Sequence, residues 1–169
     1  YFSSCASLVR SAFHFADSLS TEDKRVKESI DQCTSVSVHV RRGDYVENPI
    51  ARSVFAACSP EYYNKAFSVI EEKHHNPRYF IFSDDIEWCK SNFSSLDNIY
   101  FISGNKPYED FWLMKSCKNN IIVNSTFSWW AAWLNPNPDK IVIAPKRWFA
   151  DEKMNSQTHD LIPEDWIRI

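Results

Sequence analysis

From about residue 35 onward the chain alternates between short apolar runs and longer amphipathic stretches. The runs are "VSVHV" (36–40), "RYFIFS" (78–83), "NIYFIS" (98–103), "NIIVNS" (120–125) and "KIVIAP" (140–145). They are rich in β-branched and aromatic residues, and most are continuously apolar rather than alternating. That is the pattern of strands buried on both faces of a parallel sheet. The stretches between them carry helix-start signals. Ser59-Pro60 pairs an N-cap residue with proline at the first helical position, and Tyr63, Phe67 and Ile70 then recur at helical spacing. Asp84 or Asp85 is placed to cap "IEWCKSNF". Pro107 opens "PYEDFWLMKSCK", with acids in its first turn and lysines near its end, as the helix dipole favours. "STFSWWAAWL" follows the fourth run directly, and Trp129, Ala132 and Trp133 share one helical face that reads as core. Strand–helix alternation with short connections predicts an α/β fold, a Rossmann-like parallel sheet flanked by helices, over residues 34–169. Residues 1–33 differ: they predict one or two polar-flanked helices, with Ser20-Thr21 before "EDKRVKESI", forming either a helical connector from a preceding lobe or a flanking helix.

Composition narrows the function. A chain of 169 residues with 44% hydrophobic and 15% aromatic content is expected to be one compact domain or part of a larger one, able to bury roughly two-thirds of its unfolded surface. A net charge of −3 supplies no global basic field, so nucleic acid is not an expected partner and any anion must be met by local basic groups. The five cysteines (5, 33, 58, 89 and 117) are scattered, with no C-x-x-C pair and no histidine at metal-ligand spacing. They read as reduced thiols in a reducing, cytoplasmic setting. No run approaches the roughly 18–20 apolar residues of a membrane span. The start, "YFSSCASLVRSAFHF", has neither a methionine nor a basic n-region, and is expected to be a chain entered mid-sequence.

In a doubly wound sheet, ligands bind at the carboxyl ends of the strands. Those ends hold Arg41, Arg42, Gly43 and Asp44; then Ser83, Asp84 and Asp85; then Ser103, Gly104 and Asn105; then Asn124, Ser125 and Thr126. Two guanidinium groups suit a phosphate or pyrophosphate, because each planar fork donates to paired oxygens. A helix start rich in hydroxyls, "NSTFS", offers a second anion site through its free N–H groups. A strand-end carboxylate suits a base edge or ribose hydroxyls. With only two glycines, Gly43 and Gly104, the chain can hold neither G-x-G-x-x-G nor a P-loop. The plainer alternatives are surface ion pairs for the arginines and capping for Asp84-Asp85. The "RGD" tripeptide abuts a buried strand, which argues against adhesion. The sequon at Asn124 starts a helix after a buried strand, an unsuitable place for a glycan.

"HVRRGDYV" (39–46), "FIFSDDIEWCK" (80–90) and "IIVNSTFSWWAAWLN" (121–135), in that order, closely resemble the α-1,2-fucosyltransferases of glycosyltransferase family 11. "KIVIAPKRWF" (140–149) fits the same family, and the short loops resemble bacterial members. The resemblance implies the donor-binding lobe of a GT-B-type glycosyltransferase. It also implies inverting transfer of L-fucose from GDP-fucose to the 2-hydroxyl of a galactose in a glycan acceptor, with no metal or other cofactor. Carried over residue by residue, it makes Arg41 the contact to the β-phosphate that stabilises departing GDP, with Arg42 either assisting or orienting the loop. His39 would lie beside the nucleotide, Asp84 and Asp85 would take the guanine edge or ribose, and Asn124, Ser125, Thr126 and Phe127 would cradle the pyrophosphate. Asp44 is the candidate general base. Family members carry a glycine-rich segment of the "GGLGNQ" kind in a lobe ahead of these motifs. None is present here, so the chain is expected to be the donor lobe with a connector. Self-association through an uncovered interface and peripheral association with the inner membrane are further expectations.

Overall fold

In a computed structural model of the chain, residues 3–13 and 20–169 are described. The helical reading of residues 1–33 therefore falls partly, at 1–2 and 14–19, outside the described residues. Six strands, β1 (Ser35–Val40), β2 (Arg78–Ser83), β3 (Ile99–Ile102), β4 (Asn119–Ile121), β5 (Val142–Ala144) and β6 (Ile167–Arg168), form one sheet in the order β3-β2-β1-β4-β5-β6. Every neighbouring pair is parallel. The helices are α1 (Ala6–Ala12), α2 (Thr21–Asp31), α3 (Gly43–Glu47), α4 (Pro49–Val54), α5 (Pro60–Lys73), α6 (Ile86–Asn92), α7 (Pro107–Ser116), α8 (Thr126–Leu134) and α9 (Glu152–Ser156). The chain runs outward from β1 through β2 to β3, then returns through α7 to β4 on the other side of β1. The β1–β4 boundary is thus the topological switch point, where an open α/β sheet leaves a crevice.

The continuous apolar runs are explained by burial on both faces. Val36, Val38, Val40 and Ile81 pack with Tyr63, Phe67 and Ile70 of α5. From the alternate positions, Phe80 and Phe82 pack with Ile30 of α2, Leu113 and Met114 of α7, and Ala131 of α8. Trp129, Ala132 and Trp133 bury their shared face against Trp148 and Trp166. Ser20 caps α2 by accepting from the Asp23 N–H, and Asp85, not Asp84, caps α6 by accepting from the Trp88 N–H at 3.1 Å. Ser59 stands at the cap position of α5, but its hydroxyl makes no cap bond.

The structure departs from the sequence reading in short elements. The run at 120–125 is strand only to Ile121, because Ser125 N–H turns back to Val123 O at 2.7 Å to launch α8. The runs at 98–103 and 140–145 shorten to Ile99–Ile102 and Val142–Ala144. β6, α3, α4 and α9 were not anticipated, since two to six residues carry too little periodicity to read. A polar seam crosses the buried end of β4. Asn120 donates to Ser37 Oγ (2.7 Å) and Met114 O (2.9 Å), and Asn135 donates to Cys117 O (2.8 Å) and Asn120 Oδ1 (2.7 Å). The Asn120 amide is a second donor to Met114 O, which also accepts from the Cys117 N–H, and Asn135 supplies a donor to Cys117 O just past α7. All five cysteines are free. Among the described residues no helix is long and apolar enough to cross a membrane.

Candidate functional site

A cavity of about 520 Å³ opens at the carboxyl edge over the switch point. Its floor is made by the residues that leave β1. Arg41 reaches Asp44 (Nη2 to Oδ1, 2.8 Å) and Asp84 (Nη1 to Oδ2, 3.0 Å), and its side chain stays 39% exposed to the cavity. Arg42 turns the other way. Its Nε lies 3.3 Å from Asp85 Oδ2, its guanidinium sits 4.2 Å above the Trp88 ring, and its backbone N–H donates to Asp84 Oδ1 at 2.9 Å. Gly43 leaves room for this close approach: a Cβ there would lie 2.9 Å from Asp84 Oδ2, and the carboxylate would have to shift. The "RGD" stretch is therefore clamped at its arginine and its glycine, not projected for adhesion.

The two arginines and three carboxylates sum to one net negative charge. Release of one carboxylate from Arg41 would turn this balance in favour of a diphosphate. Asp44 is 46% exposed and Asp84 only 24%, so Asp44 is the one free to swing away.

Across the crevice stands the start of α8. It is nine residues long, Ser125 makes no side-chain cap bond, Thr126 is exposed, and Ser125 and Phe127 line the cavity. Uncapped N–H groups and the positive end of the dipole face the same space as Arg41. His39 lies beneath, with its ring 5.7 Å from that of Phe127. Burial, reinforced by the Arg41 charge, pushes its imidazole from 6.5 down to about 3, and Nδ1 has no partner. His39 is thus neutral at pH 7, an uncharged wall rather than a phosphate ligand.

This has a pH consequence. On unfolding below pH 6.5, His39 takes up a proton that the folded state refuses until about pH 3. Its contribution is fully present above pH 6.5 and is lost as pH falls through that window. The difference in unfolding free energy between wild type and His39→Gln should shrink toward acid with a limiting slope of about 1.4 kcal/mol per pH unit. Urea titrations at pH 7, 6 and 5 measure it, and a pH-independent difference would mean that the folded imidazole protonates normally. Using the difference removes the opposing contribution of Asp110, which is common to both proteins.

Of the residues expected from sequence, His39, Arg41, Asp44, Asp84, Ser125 and Phe127 converge on the cavity. Arg42 and Asp85 pair with each other at its edge, and Thr126 stands at its rim. Asn124 lies below it. The side chain is buried and donates to Ala56 O (3.0 Å) and Trp148 O (2.7 Å), while its backbone carbonyl accepts from the Tyr45 hydroxyl at 3.0 Å.

Among the lining residues given no role from sequence are Asn105, which was placed at the carboxyl edge without one, and Asp110. Burial, with the Asp23 and Glu109 charges adding to it, pushes the Asp110 carboxyl from 3.8 up to about 6, against a smaller opposing pull from Asn105. Neither Asp110 Oδ1 nor Asn105 Nδ2 has a well-formed hydrogen bond, although both atoms are buried. Asp110 read as an ordinary first-turn acid on α7. The available signal was that α7 follows a strand at the carboxyl edge, so its first turn shares the crevice.

Residues 8–169 match the family model described as glycosyl transferase family 11. An Escherichia coli protein named alpha-1,2-colitosyltransferase is 45% identical over 152 residues, covering 87% of this chain and 52% of that protein. The O-antigen biosynthesis glycosyltransferase WbnK of Escherichia coli is 39% identical over 142 residues, covering 82% and 46%. A Bos taurus galactoside 2-alpha-L-fucosyltransferase, SEC1, is 37% identical over 105 residues, covering 60% and 28%. The chain spans about half the length of the first two. Among solved structures, the fucosyltransferase NodZ from Bradyrhizobium superposes with a TM-score of 0.48 at 15% identity, over 70% of this chain and 43% of that one.

Proposed function

The chain belongs to glycosyl transferase family 11, and on that premise we propose that it is the donor-binding part of an inverting α-1,2-fucosyltransferase. It takes GDP-fucose and serves transfer of fucose to the 2-hydroxyl of a galactose-type acceptor. The observation that carries this reading is Arg41 facing the uncapped start of α8 across the switch point. The diphosphate lies between them, with Arg41 on the β-phosphate. As the sugar–phosphate bond breaks, negative charge grows on that phosphate. A guanidinium and a set of backbone N–H groups already in place stabilise it without reorganising. The bond to the β-linked fucose breaks on one face while the acceptor oxygen attacks the other, giving the α-fucoside.

Asp44 has two successive roles in this scheme. Before donor binds, it screens Arg41 at 2.8 Å. Displaced by the phosphate, it becomes a free carboxylate near the reacting centre, able to take the acceptor proton. Val46 and Ile50, both exposed and apolar beside Asp44, are suited to contact an acceptor or the remainder of the protein. The free thiols support a reducing, cytoplasmic setting. No resident metal is invoked, because Arg41 and α8 supply the charge that departure of GDP needs.

One specific observation favours a second reading of the donor sugar. The 45% identical relative is named for colitose, which is L-fucose lacking its 3-hydroxyl. Full-length gene product should therefore be assayed with GDP-fucose, GDP-colitose and UDP-galactose on a galactose-terminated acceptor, with the linkage read by NMR. An α-1,2-linked product from GDP-fucose supports the proposal. Product from GDP-colitose alone changes the sugar but not the scheme. Turnover only with a UDP sugar overturns the scheme.

A further inference from the structure

Asp84 and Asp85, the carboxylates that sequence suggested for the guanine, are already used. Asp84 holds Arg41 and the Arg42 N–H, while Asp85 caps α6 and pairs with Arg42. The cavity extends past them to Asn105 and Asp110, where α7 begins. Here a carboxylate oxygen and an amide nitrogen are both buried and both lack a well-formed hydrogen bond. The Asn105 amide lies close enough to the Asp110 carboxyl to pull on it, yet neither buried atom makes a well-formed bond, so both residues keep polar capacity for a ligand in the cavity they line. The other walls at this end are apolar or uncharged: Phe82, Phe127 and the neutral ring of His39. Flat apolar walls with a few fixed polar atoms suit a heterocycle.

We propose that Asp110 and Asn105 read the Watson–Crick edge of guanine in the donor, and so set its base specificity. The inference rests on the donor-site reading above. Guanine presents one acceptor, O6, beside two donors, N1–H and N2–H. A carboxylate accepts from both donors, and the neighbouring amide N–H of Asn105 completes the match at O6. Adenine reverses the order, with a donor at N6 and an unprotonated N1 that would face a carboxylate. Uracil and hypoxanthine each offer a carboxylate one donor instead of two. The order of groups along this wall therefore selects guanine without a glycine-rich loop. The raised pKa of the Asp110 carboxyl agrees, since two N–H donors would replace the solvation that burial removed. Its charged surroundings are Asp23 and Glu109, both repulsive, which is a further reason for a ligand that donates.

The test is a series of calorimetric titrations with GDP, inosine diphosphate, xanthosine diphosphate and UDP, on wild type, Asp110→Asn and Asn105→Ala. Inosine diphosphate lacks the 2-amino donor, and xanthosine diphosphate carries an oxygen in its place. Wild type should prefer GDP to inosine diphosphate by about fivefold to hundredfold, the range of one bidentate base contact. Asp110→Asn should lose GDP affinity by a similar factor, lose the distinction between GDP and inosine diphosphate, and favour xanthosine diphosphate, whose O2 accepts from the new amide. Asn105→Ala should weaken GDP and inosine diphosphate equally, because both carry O6. Asp110→Asn is nearly isosteric and removes a buried charge, and circular dichroism checks its fold. Should it fail to fold, the wild-type analogue series and Asn105→Ala still decide.

Wild type binding GDP, inosine diphosphate and UDP alike would overturn the base-reading role while leaving the diphosphate site standing. So would a folded Asp110→Asn that keeps its preference for GDP over inosine diphosphate. Asp110→Asn with normal GDP binding and lost transfer would make Asp110 an acid–base group instead. Failure of folded wild type to bind any nucleoside diphosphate would overturn the donor-site reading, and this inference with it.

Discussion

Arg41→Ala should lower transfer, measured as kcat/KM, by about three orders of magnitude, with most of the loss in kcat. Removing one donor from a preorganised anion site costs about a hundredfold to a thousandfold. Here the expected loss sits at the upper end for a structural reason. Arg41 is flanked by Asp44 and Asp84 at 2.8 and 3.0 Å. Without the guanidinium those carboxylates remain and face the phosphate directly, so a missing attraction is joined by a repulsion. Arg41→Lys should recover little, because an ammonium group cannot hold Asp84 and a phosphate oxygen pair in the same plane. GDP affinity should fall much less than kcat, since charge on the β-phosphate is greatest as the sugar leaves. Steady-state kinetics on full-length protein with GDP titrations in parallel measure both. A loss under tenfold in kcat/KM would remove Arg41 from the leaving-group role.

The sequence carried this part of the site well, because it follows from order along the chain. A parallel α/β sheet delivers the residues after its strands to one edge, so Arg41, Asp84 and Ser125 could be brought together before any coordinate was known. Continuous apolar runs marked five strands for the same reason, each being buried on both faces. β6 was invisible: two residues, Ile167 and Arg168, complete the sheet through contacts that no local pattern encodes. The division of labour within the acidic pair was also hidden. Whether Asp84 or Asp85 caps α6, and which arginine each one meets, depends on the backbone conformation at Ser83–Asp85, which local sequence does not encode. Asp110 was masked by a sufficient local explanation, since an acid in a first helical turn is stabilised by the dipole wherever the helix points. Only the packing of α7 over β1 and β2 turns that acid toward the crevice.

Asn124 shows the opposite case, a residue in a diagnostic motif whose position points to structure. Asn124→Ala should destabilise the fold by about 2–5 kcal/mol. The amide donates to Ala56 O and Trp148 O, on segments flanking the isolated antiparallel bridge between Phe55 and Phe149. Ala150 N–H to Val54 O, at 2.8 Å, closes the same junction. Asn124 thus ties the chain after α4 and the chain after β5 to the end of β4, directly under the start of α8. Alanine would leave two carbonyls without donors, at about 1–3 kcal/mol each, and a small void beside them. Against a total stability of about 5–15 kcal/mol for a domain, this is a large share. Urea unfolding gives the stability and calorimetry gives the GDP affinity of the protein that remains folded at low temperature. Lost stability with GDP affinity within about threefold of wild type assigns Asn124 to the framework that holds the helix start in place. Wild-type stability with GDP binding abolished would return it to the set of phosphate ligands, and the start of α8 would then need no such clamp.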